Sequence, residues 1–146
     1  GKEVLSRSIS GINPEGTGNT GDIQLTTNTL KLSNNAIISN SSIGKGNAGN
    51  ITVDARDITL DSGSYVTSSI YNQAEGKAGN ILVNTETLLF NGGSQLTTTT
   101  SGKGDAGNIT INARDSIKLD GIVPYEMYGI SSFARSSIQS DVIVGG

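Results

Sequence analysis

The chain has 146 residues, of which 20 are Gly, only 34% are hydrophobic, two are Phe and none is Trp. This is little apolar material for a compact globular core of that length, so the composition favours either a repetitive chain or a disordered one. A charged fraction of only 16%, a net charge of −3 and β-branched residues at fixed intervals argue against disorder.

The residue types that are missing limit the possible chemistry. The chain has no Cys and no His, which removes disulfides, thiolate metal sites and the commonest general base. A pI near 4.8 without a cluster of Lys and Arg argues against a nucleic-acid partner. No apolar run reaches the length of a membrane-spanning helix. We therefore expect a protein that is not an enzyme and has no cofactor, no metal site and no membrane span.

An internal repeat is the strongest signal in the sequence. Four blocks open on GTGNTGDIQL at Gly16, GKGNAGNITV at Gly44, AEGKAGNILV at Ala74 and GKGDAGNITI at Gly102, at intervals of 28, 30 and 28 residues. The predicted repeats are 16–43, 44–73, 74–101 and 102–146, with 1–15 as part of a preceding coil. Such near-identity at a fixed period is typical of solenoids. We expect a segment of a longer repeat array.

Alternation of apolar and polar residues within each block predicts three short strands. Apolar residues of the first strand are Ile23, Leu25, Ile51, Val53, Ile81, Val83, Ile109 and Ile111. Those of the second are Leu30, Leu32, Ile58, Leu60, Leu88, Phe90, Ile117 and Leu119, the last two after a one-residue slip at Ser116. The third, weaker strand carries Ile38, Val66, Leu96 and Ile130, followed two residues later by Asn40, Ser68, Thr98 and Ser132.

Stacking of equivalent strands then predicts the fold. Strands of successive repeats would lie about 4.8 Å apart and pair in parallel, because a single coil cannot bury its own apolar side. We predict an all-β, parallel β-helix (β-solenoid) of about four to five coils of 28–30 residues with three short strands per coil. Its core stack would contain Ile23, Ile51, Ile81, Ile109, Leu32, Leu60, Phe90 and Leu119.

Polar residues recur at the turn that opens each repeat. A Gly in each turn, at positions 21, 49, 79 and 107, is predicted either to adopt a positive φ or to allow close approach of the next coil. The residues that follow these glycines would form a structural ladder of hydrogen bonds from coil to coil: Asp22, Asn50, Asn80 and Asn108. The alternative is chemical, because the segments 50–52 and 108–110 also fit the N-glycosylation sequon.

Acidic residues next to Arg recur after the first strand of two repeats. Asp54, Arg56 and Asp57 correspond to Asn112, Arg114 and Asp115, while the third repeat lacks the Arg. A calcium site with a catalytic Arg, as in some β-helical polysaccharide lyases, is one interpretation. Solvated ion pairs of at most about 1 kcal/mol are the interpretation that we favour.

Ser and Thr tracts are predicted to line one face of the solenoid. They comprise Thr97 to Thr100, Thr67 to Ser69, and Ser39, Ser41 and Ser42. A solvated strand surface or a hydrogen-bonding surface for glycans is the favoured interpretation. An array that orders water, as ice-binding solenoids do, is the alternative, but the rows mix Asn, Ser and Thr.

The fourth block contains an insertion of about five residues, GIVPYEMYG at 121–129. Its residues Pro124, Tyr125, Met127 and Tyr128 form a possible binding loop, since insertions in solenoids map to loops that frequently bind partners. The alternative is that these side chains pack over the edge of the coil.

The openings GNAGNITV, AGNILV and DAGNITI, followed by DITLDSGS and DSIKLDG, resemble the repeats of filamentous-haemagglutinin-like exoproteins, especially those of cyanobacteria. The resemblance covers residues 16–120 well. It implies a right-handed parallel β-helix, export by two-partner secretion, and a role as a surface adhesin or extracellular filament. The N-terminal secretion domain of that family is not found in this sequence.

Two functions are therefore expected. The first is a structural or adhesive repeat module of a secreted, cell-surface or extracellular filament protein. The alternative is a carbohydrate-binding or polysaccharide-cleaving β-helix protein. Expected partners are like chains or adjoining repeats, joined end to end or laterally, and surface glycans. Residues 3–10 are predicted to be the third strand of a preceding coil and residues 141–146 to lead into another Gly-rich opening.

Overall fold

A computed structural model describes residues 2–4, 8–12, 15–71, 74–120, 122–127, 130–135 and 137–142. These residues form strands and turns without a helix. The strands are β1 Lys2–Val4, β2 Ser8–Ile12, β3 Ile23–Leu32, β4 Ile37–Ser42, β5 Ile51–Leu60, β6 Tyr65–Ile70, β7 Ile81–Phe90, β8 Gln95–Thr100, β9 Ile109–Leu119, β10 Ile122–Met127, β11 Ile130–Arg135 and β12 Ser137–Val142.

Two parallel sheets run along the molecule. The long sheet has the order β1-β3-β5-β7-β9, and the short sheet has the order β12-β8-β6-β4-β2. Their register pairs equivalent residues of successive repeats, so that Ile51 pairs with Ile23 on one side and with Ile81 on the other. The prediction of an all-β parallel β-solenoid is confirmed. The solenoid has about three turns, slightly fewer than the predicted four to five.

The first two predicted strands of each coil form one strand of the long sheet. In β5 the buried residues are Ile51, Val53 and Ala55, and then Ile58 and Leu60. Because the buried side changes from odd to even positions, the strand bends near residue 56, where the prediction ended one strand and began the next. Each coil therefore has two strands where three were predicted, but the apolar sides were assigned correctly.

The core lies between the two sheets and consists of columns of equivalent residues. Of the predicted core stack, the buried members are Ile51, Ile81, Leu32, Leu60 and Phe90. Ile23 and Ile109 are partly buried against this cluster. Leu119 is 46% exposed, because β9 is the outermost strand of the long sheet and has a neighbour on one side only.

The fourth coil leaves the solenoid after β9 and returns at β12. The predicted slip is a bulge, since Thr85 pairs with Ala113 whereas Thr87 pairs with Ser116. Seventeen residues separate β9 from β12, compared with four between β7 and β8, so the insertion is longer than predicted. It forms the antiparallel hairpin β10–β11.

This hairpin corrects the assignment of the last third strand. Ile130 and Ser132 were predicted to continue the columns of Leu96 and Thr98, but both lie in β11. The residues that pair with Leu96 and Thr98 are Ile138 and Ser140 of β12. The sequence pattern misled because Ile-Ser-Ser at 130–132 and Ser-Ile-Gln-Ser at 137–140 have the same alternation.

The segment 3–10 is not a single third strand. β1 pairs with Leu30–Leu32 of the long sheet, whereas β2 pairs with β4 of the short sheet. Asp141 and Val142 belong to β12, and the expected Gly-rich opening after them lies outside the described residues.

The glycines of the repeated turn allow the coils to approach closely. A Cβ on Gly79 would lie 2.0 Å from the carbonyl oxygen of Gly49, and a Cβ on Gly107 would lie 2.0 Å from that of Gly79. Real Cβ atoms do not approach backbone so closely, and any larger residue would push two coils apart. Gly21 differs, because a Cβ there would meet no atom within 4 Å.

We expect Val53→Asp to destabilise the solenoid by at least about 3 kcal/mol, because Val53 is buried between coils and the carboxylate would have no partner. Thr52→Asp is the matched control, because its side chain points away from the core and should change stability by less than about 1 kcal/mol. Urea unfolding followed by circular dichroism measures both. Equal midpoints for the two variants would contradict the register.

We expect Gly79→Ala to lower the free energy of unfolding by about 1–3 kcal/mol, because the added methyl group would collide with the backbone of the preceding coil. Gly21→Ala adds the same methyl group in open space and should change it by less than about 0.5 kcal/mol. Thermal or urea unfolding separates the two cases, and a Gly79→Ala protein as stable as the wild type would show that the coils are less tightly spaced.

Candidate functional surfaces

The Gly-rich openings form a third side of the solenoid, here called the loop face, which comprises residues 16–22, 44–50, 74–80 and 102–108. Single parallel bridges link Thr17, Lys45, Glu75 and Lys103 in succession. Backbone hydrogen bonds also join the loops, with Gly46 N donating to Glu75 O at 2.8 Å and Ala48 N donating to Lys77 O at 2.9 Å. The openings are therefore stacked elements and not free turns.

Side-chain oxygens complete this backbone pairing at the predicted ladder positions. The outer amide ladder consists of Asp22, Asn50, Asn80 and Asn108. Asp22 Oδ1 accepts from Asn50 N at 2.7 Å, Asn50 Oδ1 from Asn80 N at 3.0 Å, and Asn80 Oδ1 from Asn108 N at 2.8 Å. The four side chains are exposed, so this ladder runs along the surface and not through a buried corner.

A second amide ladder, which the sequence analysis did not identify, runs parallel to the first. Asn19 Oδ1 accepts from Asn47 N at 2.9 Å, and Asn47 Oδ1 accepts from Lys77 N at 2.9 Å. The available signal was the Asn that stands three residues before the ladder residue in the first two openings. In both ladders a side-chain oxygen takes the acceptor role that a neighbouring carbonyl has in a regular strand pair.

A buried polar column fastens the loop face to the short sheet. Asn40 Nδ2 donates to Gly21 O at 2.7 Å, Gly79 N donates to Ser68 Oγ at 2.8 Å, and Thr98 Oγ1 donates to Gly107 O at 2.7 Å. Thr20 Oγ1 also donates to Asn40 Oδ1. Among the described residues no buried side-chain nitrogen or oxygen lacks a hydrogen-bond partner. The third predicted strand thus carries polar residues because they bind loop backbone.

The two amide ladders are the walls of a polar groove of about 320 Å³, here called the amide groove. Its floor consists of Ala48, Gly49, Ala78 and Gly79, all buried small residues. The groove runs across three successive coils, so equivalent groups recur along it at the coil spacing of about 4.8 Å.

The outer side of the short sheet, here called the hydroxyl face, contains a grid of Ser and Thr. Thr97 Oγ1 donates to Thr67 Oγ1 at 3.0 Å, the hydroxyls of Thr67 and Ser69 lie 2.7 Å apart, and those of Ser69 and Thr99 lie 3.0 Å apart. Ser39 and Ser41 form a further pair at 2.8 Å.

Only alternate residues of the predicted Ser and Thr tracts belong to this face. Ser68 and Thr98 point inward and bond the loop backbone, and Ser42 and Thr100 alternate with the hydroxyl face in the same way. Burial does not separate the two sides, because Ser69 and Thr67 of the hydroxyl face are also buried. The prediction that whole tracts would line one surface is therefore wrong, because successive side chains of a strand point to opposite sides. Tyr71, which directly follows the end of β6, is 40% exposed.

The acidic residues beside Arg form surface ion pairs. Arg56 Nε lies 2.9 Å from Asp57 Oδ2, and Arg114 contacts both Asp115 at 3.0 Å and Glu86 at 2.9 Å. Hydrogen bonds from Arg56 and then Thr87 lower the pKa of Asp57. The facing carboxylates raise the pKa of Arg56 and of Arg114. Each guanidinium group therefore forms its ion pairs with neighbouring carboxylates on the same surface of the protein.

A further side-chain ladder starts at Asp54, the position for which a calcium site was the less favoured interpretation. Asn84 Nδ2 donates to Asp54 Oδ1 at 2.7 Å, and Asn112 Nδ2 donates to Asn84 Oδ1 at 2.8 Å. Within the described ranges no group of three or more acidic residues is arranged to hold a metal ion. Asp54 therefore lies in a hydrogen-bond ladder, beside the Arg56 and Asp57 pair.

The predicted binding loop lies partly in the hairpin. Pro124, Tyr125 and Met127 are in β10, where Pro124 pairs with Phe133 and Met127 with Ile130. Tyr128 lies outside the described residues. The segment is thus a paired strand for most of its length.

Comparisons of the chain with family models, with curated proteins and with solved structures give no significant match. In the portion of the chain that the structure describes, we find no helix with the length and apolarity needed to cross a membrane.

We expect Asn80→Ala to destabilise the protein by about 0.5–1.5 kcal/mol, because Asn108 N loses its acceptor while the exposed site lets water replace part of the bond. This is less than a buried amide would contribute. Asn80→Asp is the control, because a carboxylate oxygen can accept the same bond, as Asp22 does for Asn50 N. Urea unfolding measures both variants, and equal losses would mean that the amide oxygen contributes nothing.

Proposed function

We propose that this chain is a non-catalytic structural module of a secreted surface adhesin or extracellular filament, in which stacked coils form a rigid support for polar binding surfaces. The observation that carries the proposal is the continuous hydrogen bonding between coils on three sides. The two sheets and the loop face all pair residues with their equivalents in the next coil.

Such a scaffold suits an extended molecule. Each coil adds about 4.8 Å of length and contacts only its neighbours, so the array can lengthen without enlarging a common core. The resemblance of the openings to repeats of filamentous-haemagglutinin-like exoproteins, including those of cyanobacteria, supports a secreted, cell-surface location. The absence of Cys and His from the sequence fits a structural role more readily than a catalytic one.

The outermost strand of the long sheet supports contact with a further coil. Ile117 and Leu119 of β9 are each 46% exposed, although their equivalents Leu88 and Phe90 are buried. An uncovered sheet edge with apolar residues is a template for another strand. We propose that an adjoining repeat or a like chain covers this edge, end to end along the solenoid axis.

The test is analytical ultracentrifugation of the purified chain over a range of concentrations, with electron microscopy of the same samples. We expect elongated assemblies of constant width whose mass increases with concentration. Ile117→Lys should suppress them, because a cation would occupy the apolar end. Circular dichroism must show that each variant keeps its strand content.

Thr110→Lys is the matched control on the same strand, because Thr110 is already exposed on the outer surface. It should leave end-to-end assembly unchanged. Suppression by Thr110→Lys alone would indicate lateral association. A folded wild-type chain that stays monomeric at every concentration would contradict the proposed stacking.

A further inference from the structure

We propose that the amide groove binds a neutral linear oligosaccharide that lies along the solenoid axis. The inference rests on the adhesive role proposed above and names both a site and a class of ligand for it. It depends on four properties of the groove: its free donors, their spacing, its floor and its charge.

The walls of the groove present hydrogen-bond donors in fixed positions. The side-chain oxygens of Asn19, Asn47, Asn50 and Asn80 already accept a backbone N–H of the next coil, and this fixes the orientation of each amide plane. Among the described residues, the Nδ2 groups of Asn19, Asn47 and Asn80 donate to no protein acceptor. A ligand rich in oxygen acceptors would satisfy these donors without any rearrangement of the ladders.

The spacing of the donors favours a sugar chain over a peptide. The free donors of Asn19 and Asn47 recur along one wall at the coil spacing of about 4.8 Å, and that of Asn80 lies on the facing wall. Carbonyl groups on one edge of an extended peptide recur roughly every 6.6 Å, because residues advance about 3.3 Å and alternate sides. A pyranose unit of an extended chain advances by a step close to one coil and has oxygens along both edges.

The floor and the charge favour a neutral ring. Ala48, Gly49, Ala78 and Gly79 leave a flat, shallow base on which the C–H side of a sugar ring can pack. Lys77 is the cation of the lining, and its Nζ lies 3.2 Å from Asp105 Oδ2, so that its charge is compensated. Asp22 at the other end would repel an anionic chain.

The experiment is a titration of the isotope-labelled chain with cellohexaose and with chitohexaose at millimolar concentrations, followed by NMR of the backbone amides and the Asn side-chain amides. We expect the Nδ2 signals of Asn47 and Asn80 to shift with one of these probes, while the signals of the hydroxyl face do not. Hexa-alanine, titrated in the same way, represents the peptide class.

Asn47→Asp combined with Asn80→Asp is the decisive variant. It keeps an oxygen to accept from Lys77 N and from Asn108 N but removes two of the three free donors, and it should weaken binding at least tenfold. Asn91→Asp is the matched control outside the groove, because Asn91 Oδ1 accepts from Gly92 N as Asp61 Oδ1 accepts from Ser62 N in the preceding coil. It should bind like the wild type.

Three results would overturn the inference: no shift with either saccharide, shifts confined to another surface, or a response to hexa-alanine alone. Equal affinity of the double variant and the wild type would also overturn it. Because assembly is measured separately by ultracentrifugation, loss of saccharide binding with intact assembly would contradict the groove and leave the scaffold role standing.

Discussion

The structure depends on hydrogen bonds between one coil and the next. No coil encloses a core of its own, since the apolar columns are buried only when a neighbour lies on each side, as the contrast between Phe90 and Leu119 shows. Backbone pairing fixes the distance between coils, and that distance brings Gly49 so close to Gly79 that only glycine fits. The burial of the apolar columns, the glycines of the repeated turn and the spacing of groups on the surface all follow from this pairing.

Where the backbone leaves the extended conformation, side chains replace its acceptors. On the loop face the oxygens of Asn19, Asn47, Asn50 and Asn80 accept the N–H groups that a strand carbonyl would otherwise take. Between the loop face and the short sheet, Asn40 Oδ1 and Ser68 Oγ accept from loop N–H groups, and Thr98 Oγ1 donates to Gly107 O. Amides and hydroxyls are therefore as necessary to this fold as its apolar columns, and the same amides give the surface a regular set of donors.

Much of this fold could be predicted from the sequence, because near-identical repeats stack equivalent residues on one another even when the shape of each coil is unknown. The repeat fixed the strands β3 to β9 and the bulge before Ser116. It did not show that one bent strand such as β5 supplies two sides of the core, because alternation interrupted at Arg56 is equally typical of a turn. The prediction also failed where the hairpin interrupts the repeat. It placed the last strand of the fourth coil at Ile130, whereas Ile138 pairs with Leu96 in the structure.

Of the candidate site, the outer ladder could be predicted from the sequence. The groove also needs the second ladder, which is harder to recognise because Lys77 replaces its Asn in the third coil.

The most direct test of in-register stacking uses engineered cysteines, since the chain has none of its own. Thr52 pairs with Leu82, so Thr52→Cys with Leu82→Cys places two Cα atoms about 4.8 Å apart, within the range that a disulfide spans. Thr52→Cys with Asn84→Cys puts them about 7–8 Å apart on the diagonal, which is too far. Under mild oxidation, the account predicts rapid disulfide formation within the chain for the first pair and little for the second. Equal formation in both pairs, or preference for the second, would contradict the parallel register on which the whole structure depends.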